Sequence, residues 1–238
     1  MLIPPGSEVH SFEPTPKQII EISECDVFLY VGGESDKWVE TLLSSTTLKG
    51  TACALINEIE NLENGDEHIW TSPKNAIKML NKILSVICTA DGKNANYYNE
   101  NAKAYADKIG ELDLKFKALS ENALKKTLVF GDRFPFAYLV KEYGFEYISP
   151  YAGCYNNTEP GAAVISQIIE KVKNDKIDTV FYIEFSNKKV ANTICEETGA
   201  KAALLHSCHN VSAQDFKNGV TYYDLMNNNL KAIEGALN

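Results

Sequence analysis

Four histidines stand at positions 10, 68, 206 and 209 of a 238-residue chain, and imidazole is the side chain best suited to metal ligation near neutral pH. The last two lie three residues apart in Leu204-Leu205-His206-Ser207-Cys208-His209, where the Cys208 thiol adds a donor that suits soft metals. Carboxylates accompany them at Asp132, Glu159 and Glu184. No HExxH, GxSxG or P-loop pattern occurs, so nothing in the sequence supplies an attached general base, a nucleophile elbow or a phosphate cradle. Taken singly, these residues have plainer readings. His10 reads as an exposed loop histidine, His68 as a ring packed beside Trp70, Glu159 as a charge at a helix N-terminus, and Glu184 as a hydrogen-bond acceptor.

Composition narrows the classes. With 45% hydrophobic residues the chain has enough apolar surface for one large core or two smaller ones. A net charge of -9 and a pI near 5.0 exclude a basic stripe able to displace counterions from nucleic acid. No run of about 18 apolar residues is present to span a membrane as a helix. Six cysteines occur without a CxxC pair, and most sit in apolar patterns, which reads as small buried hydrophobes.

The elements that must position these groups alternate between strand and helix. Leu2-Ile3 reads as a short strand broken by Pro4-Pro5-Gly6. Thr15-Pro16-Lys17-Gln18 reads as a capping box with proline at N1, opening a helix to about Glu24. Val27–Val31 is a near-continuous apolar run ended by Gly32-Gly33, as in a buried parallel strand. A helix over Ser35–Leu43 and a strand over Ala52–Ile56 follow, and then a polar loop to Glu67 with Asn61, Asn64 and Gly65 as turn residues. Ser72-Pro73 starts a helix that Asp91-Gly92 interrupts. A second helix from about Ala95 to Asn122 is near 28 residues, or about 40 Å long. Its apolar positions include Tyr98, Ala102, Tyr105, Ile109, Leu112, Leu114, Phe116 and Leu119. Strands at 127–131, 145–148, 179–183 and 202–205 then alternate with helices at 135–143, 161–173 and 188–198, before a last helix at 221–237. Such alternation requires parallel pairing through crossover helices.

Several of these stretches together carry a resemblance. PPG, then HSFEPTP, a helix, DVFLYVGG and Trp38 resemble the metal-binding protein of ABC importers, the cluster A-I zinc/manganese group of solute-binding proteins. The resemblance implies that His10 is the first metal ligand, in place of the histidine of an HxxEPTP-like segment. DEHIWTSP is similar to the group's DPHxWLSP element and implies His68 as the second ligand. Glu67 replaces the usual proline, which is read as a change of loop stiffness. GDRFPFAY is similar to a recurring variant of the group's HxxFxY element and puts Arg133 on the third ligand position. Arginine stays protonated and cannot coordinate a cation. The resemblance therefore leaves the missing donor to Asp132, Glu159, Glu184 or water, with Arg133 orienting a ligating carboxylate. His206 falls on the fourth ligand position, an aspartate in the group, with Cys208 and His209 as further candidates. Three imidazoles and an oxygen give a tetrahedral zinc site of ordinary composition.

What the resemblance implies for the whole chain is an α/β fold of two lobes, each with a mainly parallel sheet flanked by helices, joined by a long rigid helix. The implied boundaries are an amino-terminal lobe over 1–93, a spine helix over 94–123 and a carboxy-terminal lobe over 124–238. By that comparison the chain is expected to start late, lacking the first βα unit of the first lobe and the signal peptide and lipobox cysteine that precede it in the group. The implied function is extracytoplasmic capture of Zn²⁺, with Mn²⁺ or Fe²⁺ as alternatives, and delivery to an ABC permease by a monomeric, non-enzymatic lipoprotein or periplasmic protein. Two other readings stay open: a zinc-dependent hydrolase with Glu184 or Asp132 as base, and an adhesin-like or vestigial lobe pair without metal affinity.

Overall fold

A computed structural model describes residues 1–63, 65–151 and 159–238, so Asn64 and Cys154 of the sequence reading lie outside the described residues. The chain divides into two compact units. One comprises Met1–Glu111 with His209–Phe216, and the other Leu112–Cys208 with Lys217–Asn238.

In the first unit, helix α1 (Pro16–Glu24) begins as its sequence dictates. Thr15 N–H donates to Gln18 Oε1 at 2.9 Å, and Thr15 Oγ1 accepts from Gln18 N–H at 3.3 Å, which closes the capping box. Strand β1 (Val27–Tyr30) is followed by a single 3-10 turn at Glu34–Asp36, helix α2 (Lys37–Ser45) and strand β2 (Thr51–Ala54). The two strands pair in parallel, Val27 opposite Thr51 and Tyr30 opposite Ala54. Ile22, Phe28, Val39 and Leu42 form the local core, with Leu2 and Trp38 packed against it.

Leu2-Ile3 forms no strand. Leu2 uses its side chain in that core, and its carbonyl accepts from Gln18 Nε2 at 2.9 Å in place of a ladder bond. The strand expected through Ile56 stops at Ala54, where Leu55–Glu58 coils into another 3-10 turn. Helix α3 (Pro73–Ala90) has Ser72 as its N-cap, and α4 (Ala95–Asn122) is the expected 28-residue helix, with the unit boundary inside it. Ala102, Ile109, Leu112, Phe116 and Leu119 of α4 are buried, whereas Leu114 is 64% exposed and belongs to its solvent face.

The second unit is a four-stranded parallel sheet. Its strands are β3 (Thr127–Phe130), β4 (Glu146–Ile148), β5 (Thr179–Tyr182) and β6 (Lys201–Leu204), in the order β4-β3-β5-β6. Helices α5 (Ala137–Tyr143), α6 (Ala162–Asn174) and α7 (Lys189–Thr198) connect them, and Gly144 and Gly199 end α5 and α7 in the left-handed conformation. Alternate residues of β3 serve two cores. Leu128 and Phe130 pack with Phe181 and Leu205, and Val129 packs with Val180, Ile168, Val172 and Ile194. Burial on both faces is why these strands read as unbroken apolar runs.

Beyond β6 the chain supplies His209–Phe216 to the first unit, including most of a one-turn helix, α8 (Ala213–Lys217), that the sequence reading omits. There Gly6 N–H donates to Val211 O at 2.7 Å, and Asn210 Nδ2 donates to Pro4 O and Ser7 O, each at 2.9 Å. Helix α9 (Tyr222–Leu237) then returns to the second unit and packs Met226, Leu230 and Ile233 into the core of Leu128 and Phe130.

Candidate metal centre

The loop between Pro4 and α1 presents His10. Glu8 Oε1 accepts the backbone N–H groups of Val9 and His10, both at 3.1 Å, and so shapes that loop. The His10 ring Nδ1 lies 2.9 Å from Ser35 Oγ, on the 3-10 turn that follows β1, and 3.7 Å from Glu67 Oε1. His68 precedes Ser72 and α3, and its side chain is 0% exposed. Asp66 Oδ1 accepts the His68 backbone N–H at 2.9 Å and lies 2.5 Å from the ring Nδ1. His209 leaves the turn after β6, where Cys208 has a φ of 60°, and its ring centroid stands 4.9 Å from that of Trp70.

All three histidines belong to the first unit, and the fold brings them together. Ring centroids are 5.8 Å apart for His10 and His68, 4.8 Å for His10 and His209, and 5.1 Å for His68 and His209. One ligand atom from each lies within 4.8 Å of the others. Three imidazoles bound tetrahedrally to one zinc ion at about 2.0–2.1 Å hold their ring centroids roughly 5 Å apart. The ring spacing therefore fits, and shared ligation of one ion draws the donor nitrogens in from within 4.8 Å to about 3.3 Å of one another. The orientation of the His68 ring fits too. Asp66 takes the Nδ1 side of His68, which leaves Nε2 as the lone-pair nitrogen. That Nε2 is buried without a hydrogen-bond partner. Leaving such an atom unsatisfied costs about 1–3 kcal/mol, which plain ring packing would not explain.

The other residues singled out in the sequence lie in the second unit. His206 donates its backbone N–H to Asn229 Oδ1 at 2.7 Å, and its carbonyl accepts from Asn229 Nδ2 at 2.7 Å. Its ring Nδ1 accepts the Cys208 backbone N–H at 2.9 Å and lies 3.7 Å from Glu184 Oε1. Glu184 accepts the Ser207 N–H at 2.7 Å and the Ser207 hydroxyl. Burial, and then the Glu184 carboxylate, push the Cys208 thiol well above its ordinary range. At neutral pH it stays a thiol, whereas metals take the thiolate. Asp132 is buried, accepts its neighbour Arg133 N–H at 2.8 Å, and lies 3.4 Å from the Ile183 backbone nitrogen that donates to it. Arg133 is half-buried, and Glu159 is exposed.

Sequence reading missed the residues that support the histidines. Asp66 and Ser35 touch the rings directly, and Glu67 is buried, at 2% exposed, against the Ser35 N–H at 2.9 Å. The available signal was weak: Asp66 and Glu67 directly precede His68, but they end a loop already rich in Asn and Glu, so their charges do not stand out in the sequence. Glu67 and His209 also line a cavity of about 510 Å³, together with Phe12, Trp38 and the residues of β1.

Comparison with known proteins gives concordant results. A family described as "ZnuA: Zinc-uptake complex component A periplasmic" matches residues 1–236. The high-affinity zinc uptake system protein ZnuA of Bacillus subtilis is 31% identical over 256 residues, covering 100% of this chain and 80% of that protein. The zinc-binding lipoprotein AdcA of Streptococcus pneumoniae is 29% identical over 98% of this chain, which spans 50% of AdcA. Among solved structures, the Zn(II)-bound ZnuA-like domain of that AdcA superposes with a TM-score of 0.85 at 29% identity, covering 99% of this chain and 89% of the domain. The metal-dependent lipoprotein YcdH of Bacillus subtilis gives 0.87 at 30% identity, over 100% of this chain and 90% of YcdH.

Proposed function

This chain belongs to the family of periplasmic component A proteins of zinc-uptake complexes, and from that premise we propose that it captures Zn²⁺ through His10, His68 and His209. The fold is the family's α/β architecture of parallel sheets flanked by helices. The observation that carries the ligand assignment is the buried, unpartnered Nε2 of His68, facing a site shared with two other imidazoles. Zinc is the cargo that suits three imidazole nitrogens, since Mn²⁺ prefers oxygen donors and Fe²⁺ binds a given nitrogen site more weakly. Its fourth position takes water or a carboxylate.

The ion is bound outside the cytoplasmic membrane and released to an ABC permease, without chemical turnover. Membership of a family of uptake-system binding proteins supports that reading. Among the described residues no helix is long and apolar enough to cross a membrane.

The test is elemental analysis after dialysis against equimolar zinc and manganese, on the wild-type chain and on His10→Ala, His68→Ala, His209→Ala and His206→Ala variants. One zinc per wild-type chain, lost in the first three variants and kept in His206→Ala, is the expected result. Loss in His206→Ala with retention in His209→Ala would move the third donor to His206. A wild-type chain that holds no zinc would overturn the reading altogether.

A further inference from the structure

Among the described residues, the buried side-chain nitrogens and oxygens without a hydrogen-bond partner are His68 Nε2 and Glu67 Oε1, on consecutive residues. The first is a donor to the metal. The second is unexplained, because a buried carboxylate oxygen is costly unless a charge or a hydrogen bond compensates it.

The seat of Glu67 is built rather than incidental. Its Oε2 accepts the Ser35 N–H at 2.9 Å, which turns Oε1 toward His10, 3.7 Å from Nδ1. Gly33 makes the space. At φ 112° and ψ -161° it occupies a conformation essentially reserved for glycine, and a Cβ there would fall 2.7 Å from both Glu67 Cβ and Oε2. Ser35 meanwhile engages the same His10 nitrogen through Oγ at 2.9 Å.

We propose that Glu67 is a positioning residue for metal capture: with Ser35 it holds the Nδ1–H edge of His10, fixing the tautomer that presents Nε2 to the ion. The proposal rests on the ligand reading above. Two neighbouring carboxylates then serve two different ligands, Asp66 on His68 and Glu67 on His10. Both add negative charge beside the cation without occupying its coordination sphere. A direct-ligand role fits less well, since the donor atoms that cluster within 4.8 Å are those of the three histidines, and Glu67 faces His10 Nδ1, the nitrogen Ser35 already holds.

The test compares the wild-type chain with Glu67→Gln and Glu67→Asp. Zinc affinity is measured by competition with a chromophoric chelator. The zinc-loaded proteins are then examined by ¹H–¹⁵N NMR of the imidazoles and by zinc X-ray absorption. Glu67→Gln is expected to bind zinc about 10–100-fold more weakly, the usual effect of losing such a partner. It should shift the His10 Nδ1–H resonance upfield and leave the zinc coordination shell unchanged. Glu67→Asp keeps the buried charge with a shorter reach, and should show a smaller affinity loss with a shift in the same direction. Unchanged affinity and an unmoved His10 resonance would overturn the proposal, as would loss of an oxygen neighbour from the zinc shell in Glu67→Gln. Failure of the wild-type chain to bind zinc would sink the ligand reading instead, so the two failures are told apart.

Discussion

The ring Nδ1 of His68 lies 2.5 Å from Asp66 Oδ1, and that one oxygen also accepts the His68 backbone N–H at 2.9 Å. A carboxylate two residues upstream thus fixes the backbone and the tautomer of a fully buried histidine, the second of the proposed ligands. Asp66→Asn keeps an acceptor and removes the charge, so zinc affinity is expected to fall about 10-fold. Asp66→Ala removes both, and the loss should approach about 100-fold. Chelator competition checks both values, and equal affinity in all three proteins would remove Asp66 from the site.

The second unit offers a test of stability independent of metal. Tyr143 OH donates to Asp113 Oδ1 at 2.7 Å, and burial, then that hydrogen bond and the Asp113 charge, push the hydroxyl far above its ordinary value of 10.0. A raised folded-state value means the contribution is complete below about pH 10 and declines above it, as the unfolded chain ionises. Tyr143→Phe is expected to lose about 1.5–3 kcal/mol at pH 7, the range for a hydrogen bond to a charged acceptor. The gap to wild type should narrow above pH 10. Urea unfolding at pH 7 and pH 10.5 measures it, and a gap that widens with pH would contradict the assignment.

Close approach of α7 to the end of β3 sets another constraint. A Cβ on Gly131 would lie 2.3 Å from Ala191 Cα and 2.6 Å from Ala191 N, both backbone atoms that cannot rotate aside. Gly131→Ala should therefore destabilise by about 1–3 kcal/mol, as overpacking does. Ala191→Gly should not rescue it, because the clash is with the backbone. A double variant restored to wild-type urea midpoint would refute this account.

Local signals carried most of the fold. Thr15 to Gln18, Ser72-Pro73, Gly144 and Gly199 each mark a helix end by their own chemistry, and the two-sided burial of β3 and β5 shows as apolar runs. What failed depended on partners distant in sequence. Leu2-Ile3 has strand composition, but its carbonyl is claimed by a side chain of α1. Leu114 is apolar, yet α4 turns it to solvent. Of the three histidines proposed for the site, His10 and His68 stand out in sequence because each sits in a constrained motif. The proposal of His209 in place of His206 rests on the fold alone. Both follow the same strand, and a left-handed turn at Cys208 directs the chain between them, which no spacing rule reveals. Glu67 looked like a loop residue because its partners, Gly33 and Ser35, are more than thirty positions away.

The segment that begins at His209 is fastened to the amino-terminal loop by the bonds of Val211 to Gly6 and of Asn210 to Pro4 and Ser7. On the proposed ligand set, an ion shared by His10 and His209 adds a removable crosslink at that seam. It closes a loop of about two hundred residues, and the entropy such a closure withholds from the unfolded chain grows with loop length. With those ligands, loading would tie the segment after β6 to the loop before α1, and surrendering the cargo would untie it.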